Sequence, residues 1–463
     1  MHTHEAGALH AAAGRRGPEW LREPEDVNAL LPALWSRTTR REPTTGVLTV
    51  GGLDARDLAE RYGTPAYILD EADFRGRARE FRDAFAGINA GVAYAGKAFL
   101  CTEVARWLAA DGLGLDVCTG GELATAVRAG FPADRLTMHG SNKSPAELVR
   151  AVDAGVGRIV VDSYHEIERL AEIAGARGVT QRVLVRVTVG VEAHTHEFIA
   201  TAHEDQKFGF SLTSGAAAEA VRRIMKLPQL SLAGLHSHIG SQIFDTQGFE
   251  VSAHRALILQ AAIRDEHGVE LLELCLGGGF GIAYNSQDDP EPPHSIASEL
   301  KEIVDVECAR LGLTVPRLSV EPGRAIAGPS TFTLYEVGTV KDVDGIRTYV
   351  SVDGGMSDNI RAALYDAAYS GTLASRRSDA HPVLARVVGK HCESGDIVVR
   401  DEFLPADIAP GDLLAVPGTG AYCRSMASNY NHVPRPPVIA VRDGDARVIV
   451  RRETEDDLLR LDL

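Results

Sequence analysis

Between residues 72 and 325 the chain alternates between two hydrophobic periods. Short runs rich in β-branched and aliphatic residues read as strands. The segments between them place apolar residues three and four apart, which is the period of a helix. The strand-like runs begin with GVAYAGK ending at Lys97, LGLDVCT ending at Thr119, RLTMHG ending at Gly140 and RIVVDS at 158–163. They continue with RVLVRVTV at 182–189, LAGLHSHIG at 232–240, LLELCLGGG at 271–279 and RLSVEPGR at 317–324. The intervening helices carry start and stop signals, among them Ser144-Pro145 and several closing glycines. Eight β-then-α units in about 250 residues is the size of a (β/α)8 TIM-type barrel. A doubly wound open sheet is the alternative, and the lack of a dinucleotide fingerprint favours closure.

After Arg324 the pattern changes to strands punctuated by Gly, Asp and Pro, as in TFTLYEVGTV, IRTYVSVDGG and DLLAVPGTG. This stretch reads as a β-rich C-terminal domain, sandwich- or barrel-like. The early segments VLTVGGL and AYILD also read as strands and are expected to pack with it, because chain termini tend to lie together. The expected organisation is a loosely ordered tail over 1–40, N-terminal strands over 41–71, the barrel over 72–325 and the β-rich domain over 326–463.

Composition narrows the function. A net charge of −16 excludes a general nucleic-acid or anionic-membrane binder, which needs clustered Lys and Arg. No apolar run is long enough to cross a bilayer, and the first twenty residues lack a signal-peptide core. The six cysteines are widely spaced with no C-x-x-C pair, which points to a reducing cytoplasm and to no zinc site. His194 and His196 form an H-x-H pair without a matching third ligand, so a mobile loop is expected there and no metal.

Active sites of such barrels form at the C-terminal strand ends. Applied here, that rule collects Lys97 after the first strand and His236, His238 and Ser241 after the sixth. It adds the run Gly277–Gly279 after the seventh, and Glu321 and Arg324 after the eighth. A lysine between apolar stretches is ordinarily a snorkelling surface residue, and each other member alone is unremarkable. Together they supply a covalent amine, a glycine-lined phosphate cradle and a carboxylate for a ring nitrogen. Those are the requirements of pyridoxal 5'-phosphate.

With these residues in place, the chain from about residue 45 onward resembles the fold-type III pyridoxal-phosphate decarboxylases, most closely the branch that acts on diaminopimelate. The motifs are YAGKAF around Lys97, HSHIGSQ at 236–242, LGGGFGIAY at 276–284 and EPGRAIAGP at 321–329. They continue in DGGMSDNIRAALY at 353–365, CESGD at 392–396 and GAYCRSMASNYN at 420–431. The resemblance implies that Lys97 carries the cofactor, Glu321 faces its pyridine nitrogen and His238 stacks on its ring. It implies that Ser241, Gly279, Gly323 and Arg324 surround the phosphate, with Tyr422 near both phosphate and substrate. Arg361 and Tyr365, with Arg324, would bind the substrate. It further implies a homodimer with a shared active site, in which the partner subunit contributes Cys392, the proton donor, and Glu393. The implied reaction is decarboxylation of meso-2,6-diaminopimelate to L-lysine and CO2, the last step of lysine biosynthesis. A related ornithine, arginine or lysine decarboxylase and an amino-acid racemase are the rivals. They lack the distal carboxylate that Arg361 suits, or need a tyrosine base in place of the Cys392 motif.

Overall fold

Eight parallel strands, each entered through a helical crossover, close into a ring. The computed structural model of the chain describes residues 17–190, 207–343 and 346–463. The ring strands are β1 (Gly91–Ala95), β2 (Gly114–Val117), β3 (Leu136–Met138), β4 (Arg158–Val161), β5 (Gln181–Thr188), β6 (Leu230–His236), β7 (Glu273–Cys275) and β8 (Arg317–Val320). Each pairs in parallel with the next, and Ser319 and Val320 of β8 pair with Gly91 and Val92 of β1 to close the barrel. Strands buried on both faces are what a covered parallel sheet requires, and Val183, Val185, Leu115 and Val117 are all buried. The helix Pro145–Asp153 starts as its sequence indicates. Ser144 accepts from the Glu147 N–H while the Glu147 carboxylate accepts from the Ser144 N–H, which makes a capping box.

The strands stop earlier than the hydrophobic runs suggest. β1 ends at Ala95, β6 at His236, β7 at Cys275 and β8 at Val320. Lys97, His238, the glycine run and Glu321 therefore lie in the loops just beyond the strand ends. The glycines explain the early stops, because Gly277 and Gly279 have φ of +73° and +107°, which no strand accommodates.

The second unit comprises residues up to Phe74, Ile282–Asp289 and Ile326–Leu463, the barrel unit being Arg75–Gly281 and Pro290–Ala325. The short segment 282–289 thus groups with the β-rich part, a division that periodicity alone did not indicate. Its main sheet has nine strands. Ala66–Asp70, the AYILD segment, lies between Thr331–Val343, with which it is antiparallel, and Val438–Arg442, with which it is parallel. All five residues of that strand are buried, so it is a central element of the sheet. Leu48–Val50 joins a separate three-stranded sheet with Arg40–Arg41 and Leu53–Asp54.

The loose tail expected over residues 1–40 needs correction for its later part. Leu34 and Trp35 are buried in an apolar cluster with Val47, Leu48, Ile68 and Phe332, and the Trp35 ring meets Phe332 edge-on at 5.8 Å. The Asn28 side chain donates to the Ser378 carbonyl at 2.7 Å. A tryptophan buries a large apolar area, enough to order the segment that carries it. His194 and His196 fall outside the described residues. Among the described residues no helix is long and apolar enough to cross a membrane.

Candidate active site

In the barrel unit, Glu321 follows β8 directly and is the centre of a buried polar cluster. Its Oε1 lies 3.0 Å from His236 Nε2 and 3.4 Å from His139 Nε2, and it accepts from the Cys275 thiol at 3.1 Å. Burial alone would lift this carboxyl. The neighbouring His236 and His139 imidazoles, with the hydrogen bonds from His236 and Cys275, instead hold it well below the ordinary carboxylate range. Its other oxygen, Oε2, makes no hydrogen bond among the described residues. Asp116, on β2, stands 3.4 Å from the same His139 nitrogen, and burial together with the Glu321 charge pushes its carboxyl well above the usual value. Neither Asp116 oxygen forms a hydrogen bond among the described residues, although the residue is only 3% exposed. Burial brings His139 down to about 3, so its imidazole is neutral at physiological pH. The result is one ionised carboxylate with an unused acceptor, backed by a neutral imidazole.

His139 and Asp116 were not among the residues the sequence reading assigned to the site. His139 directly follows β3, next to last in the RLTMHG run, so the strand-end rule reaches it. Asp116 lies inside β2 and carries no motif of its own. One donor atom each from His139, His236 and Glu321 lies within 4.8 Å of the others, a spacing that a cation could also bridge.

The other barrel residues stand around the same end. Lys97 is exposed between buried Gly96 and Ala98, and its amine has no ion pair or hydrogen bond among the described residues. The Gly96 N–H donates to the Asp116 carbonyl at 2.9 Å, which ties the loop carrying Lys97 to β2. His238 accepts from the Gly278 N–H through Nδ1 at 3.3 Å. Burial and then the Lys97 charge push its imidazole well below its usual value, leaving a neutral flat ring. Arg324, only 6% exposed, donates from Nη2 to Ser241 Oγ at 2.7 Å. The backbone N–H groups of Gly240, Gly279 and Gly323 have no hydrogen-bond partner among the described residues. At Gly279 a Cβ would come within 2.5 Å of the Gly240 carbonyl, so only glycine brings the backbone this close. Unused N–H donors beside a buried arginine and a hydroxyl are chemistry suited to a phosphate.

In the β-rich unit a second cluster forms around Arg361, which opens the short helix Arg361–Tyr365. Its Nη1 donates to the Tyr284 hydroxyl at 2.8 Å and to the Tyr369 hydroxyl at 2.6 Å. The guanidinium is 5% exposed and has no carboxylate partner among the described residues. Tyr284 and Tyr369 are a further pair the sequence reading did not assign. Seventy-seven residues separate Tyr284 from Arg361, and no local pattern joins them. Tyr365 is half-buried at the end of that helix. Tyr422 has φ of +63°, a sparsely populated conformation for a tyrosine. Cys392 is exposed, its N–H donating to Asn431 Oδ1 at 3.2 Å, and the neighbouring Glu393 is exposed too. The structure thus gathers Lys97, His238, Ser241, Gly279, Glu321, Gly323 and Arg324 in one unit. Arg361, Tyr365, Cys392, Glu393 and Tyr422 belong to the other.

Residues 71–328 match the family model of the pyridoxal-dependent decarboxylases, pyridoxal-binding domain. The diaminopimelate decarboxylase of Mycobacterium tuberculosis is 60% identical over 94% of this chain and 98% of its own length. That of Mycobacterium leprae is 57% identical over the whole of both chains, and that of Bacillus subtilis 47% over 92% and 97%. Among solved structures, the diaminopimelate decarboxylase of M. jannaschii in complex with L-lysine superimposes with a TM-score of 0.86 at 29% identity. That match covers 92% of this chain and 98% of the other. The Helicobacter pylori enzyme complexed with L-lysine gives 0.81 at 28%, over 88% and 99%.

Proposed function

We infer how this chain's residues divide the catalytic work from its family: it belongs to the pyridoxal-dependent decarboxylases, and within them to the diaminopimelate decarboxylases. The reaction is release of CO2 from meso-2,6-diaminopimelate to give L-lysine, the final step of lysine biosynthesis through diaminopimelate. The cofactor is pyridoxal 5'-phosphate. When bound, that group supplies a protonated ring able to accept the electron pair the departing carboxylate leaves behind.

The residues present fit it. Glu321 carries the reading: a carboxylate held ionised, with Oε2 unused, is an acceptor for a ring N–H. His139 and His236 fix that carboxylate in place, and Asp116 stays neutral beside it. The exposed Lys97 amine would provide the covalent attachment, and the neutral, flat His238 would lie against the ring. Arg324, Ser241, Gly279 and Gly323 would hold the phosphate, and Tyr422 is assigned to it as well.

Substrate choice rests on Arg361. A buried guanidinium whose hydrogen bonds among the described residues go to two phenols is costly to desolvate, and a carboxylate ligand would offset that cost. Meso-diaminopimelate brings a carboxylate at its far end, whereas ornithine, lysine and arginine bring only a cation. Tyr365 and Arg324 assist, and Glu393 takes the distal ammonium. The Cys392 thiol then protonates the α-carbon. The exposure of Cys392 and Glu393 supports a homodimer in which each protomer lends these two residues to its partner. All six cysteines are free thiols, which suits a cytoplasmic enzyme.

The test is CO2 release with meso-diaminopimelate, L-ornithine, L-arginine and L-lysine in parallel, with Lys97→Ala as control. Release from meso-diaminopimelate alone, lost in the control, is the expected result. CO2 from ornithine or lysine at a comparable rate would overturn the role given to Arg361.

A further inference from the structure

The barrel unit holds a second polar feature, at the end where its strands begin. A cavity of about 450 Å³ is lined by Arg158, Glu273 and Arg317, the first residues of β4, β7 and β8, by Arg182, the second residue of β5, and by Arg135 just before β3. Further in, its lining reaches Asp116 and Glu321. At the opening only Glu273 opposes these four arginines directly. It accepts from Arg158 at 2.6 and 2.8 Å and from Arg182 at 2.5 Å. Arg317 has no ion pair with a carboxylate among the described residues. Arg135 donates to the Ala109 carbonyl, and its buried Nε has no hydrogen-bond partner. Arg82 and Asp134 also line the cavity, and their formal charges cancel. With Asp116 and Glu321 counted, five arginines face four carboxylates over the whole lining, and at the opening Arg135 and Arg317 have no carboxylate partner among the described residues, in a chain whose net charge is −16.

An ion-pair network serving stability alone would match its charges, and would leave neither room nor unused donors between them. Guanidinium groups lining a space of this size are instead suited to a planar or tetrahedral anion with two charges. We propose that this cavity is a binding site for a small dianion, either phosphate-like or dicarboxylate, held by Arg135, Arg182 and Arg317, with Arg158 kept in place by Glu273. Arg135, Arg182 and Arg317 are not among the residues assigned to cofactor and substrate, although the inner lining of the cavity reaches Glu321. An anion seated there lies in the same cavity whose inner lining includes Asp116 and Glu321, so its charge acts on those carboxylates.

The experiment is isothermal titration of the holoenzyme, its cofactor-phosphate site filled, with inorganic phosphate and separately with succinate, in a buffer of monovalent anions. Arg182→Gln, Arg317→Gln and the double variant are titrated alongside. Saturable binding of either anion, weakened about tenfold by each substitution, is expected, because each removes a charge-assisted hydrogen bond. Turnover at saturating diaminopimelate should persist in all three variants, and Arg317→Lys should recover part of the affinity. Binding of phosphate alone or of succinate alone supports the site and identifies its class of occupant. No saturable heat with either anion overturns the proposal. So does binding that the double variant leaves unchanged, since the anion would then sit elsewhere. Variants that melt earlier with undiminished affinity would reassign the arginines to stability alone.

Discussion

Replacing Arg361 by methionine separates stability from function in a way few substitutions would. The guanidinium is 5% exposed and touches no carboxylate among the described residues, only the hydroxyls of Tyr284 and Tyr369. Two hydrogen bonds to a charged donor are worth roughly 3–6 kcal/mol together, and all of that is lost in Arg361→Met. Against it stands the desolvation of a buried charge without a counter-ion, an effective penalty of several kcal/mol that the substitution removes. Methionine has similar length and reach, so no large cavity opens. The two contributions nearly cancel, and the net change in stability lies within about 2 kcal/mol of zero, a few degrees in melting temperature. Binding responds differently. If Arg361 receives the distal carboxylate of diaminopimelate, its loss removes a bidentate charge-assisted pair worth about 3–5 kcal/mol, and kcat/KM falls roughly a hundred- to several-thousand-fold. Calorimetric melting of the variant, with and without L-lysine, and CO2 release against substrate concentration are the two measurements. A melting temperature lower by more than about 10 °C with kcat/KM preserved within about tenfold would refute the reasoning and make Arg361 a structural residue.

Glu321→Gln should keep the fold yet lower kcat at least a hundredfold at saturating substrate, since an amide cannot stabilise a protonated ring; stopped CO2 release with an undisturbed far-ultraviolet spectrum checks this. The Lys143–Glu166 pair is a different case. Lys143 lies 2.7 Å from Glu166 Oε1 and donates to the Gly140 and Val160 carbonyls, so Lys143→Met should destabilise by about 3–5 kcal/mol in urea unfolding. Asp358 gives a pH prediction. Burial raises its carboxyl from 3.8 to about 7, although it accepts from Tyr335 and from the Gly355 N–H. The unfolded chain therefore loses this proton first, and stability falls as pH rises from about 4 to about 7, by roughly 4 kcal/mol for this group. Asp358→Asn should flatten part of that slope, but not all of it, because burial lifts Glu402 to about 7 as well. Unfolding midpoints across that pH range that superimpose for the two proteins would disprove the assignment.

Much of the barrel was legible because its signals are local. A strand followed by a helix repeats a period within a window of a dozen residues, and LGGGFG or EPGR announces a turn wherever it stands. The exact strand ends were not legible, because Gly277 reads equally well as the last strand residue or the first of a loop until its φ is known. Asp116 and His139 escaped for another reason. Nothing near Asp116 in LGLDV distinguishes an aspartate facing a histidine at the end of the neighbouring strand from one facing solvent. Tyr284 and Tyr369 matter only through Arg361, and burial of Trp35 depends on Phe332, almost three hundred residues away. Partnerships of that length appear only once the sheets are assembled.

Satisfaction is what separates structural from functional charge in this chain. Lys143 is as buried as any functional group here, yet its amine donates to two carbonyls within 2.8 Å and lies 2.7 Å from the Glu166 carboxylate. Asp111 likewise is enclosed by Arg75 and Arg79. Among the described residues, Arg361 is buried without a carboxylate, Asp116 without a hydrogen-bond donor, and Glu321 with one oxygen unused. A fold selected for stability alone would lose such groups, since an apolar residue of equal volume removes the penalty at once. Their retention requires an interaction that the chain does not itself supply. The sign of each deficit then names the missing partner: a cation or N–H donor at Glu321, an anion at Arg361. A protonated pyridine ring and a substrate carboxylate are the groups that meet those two demands.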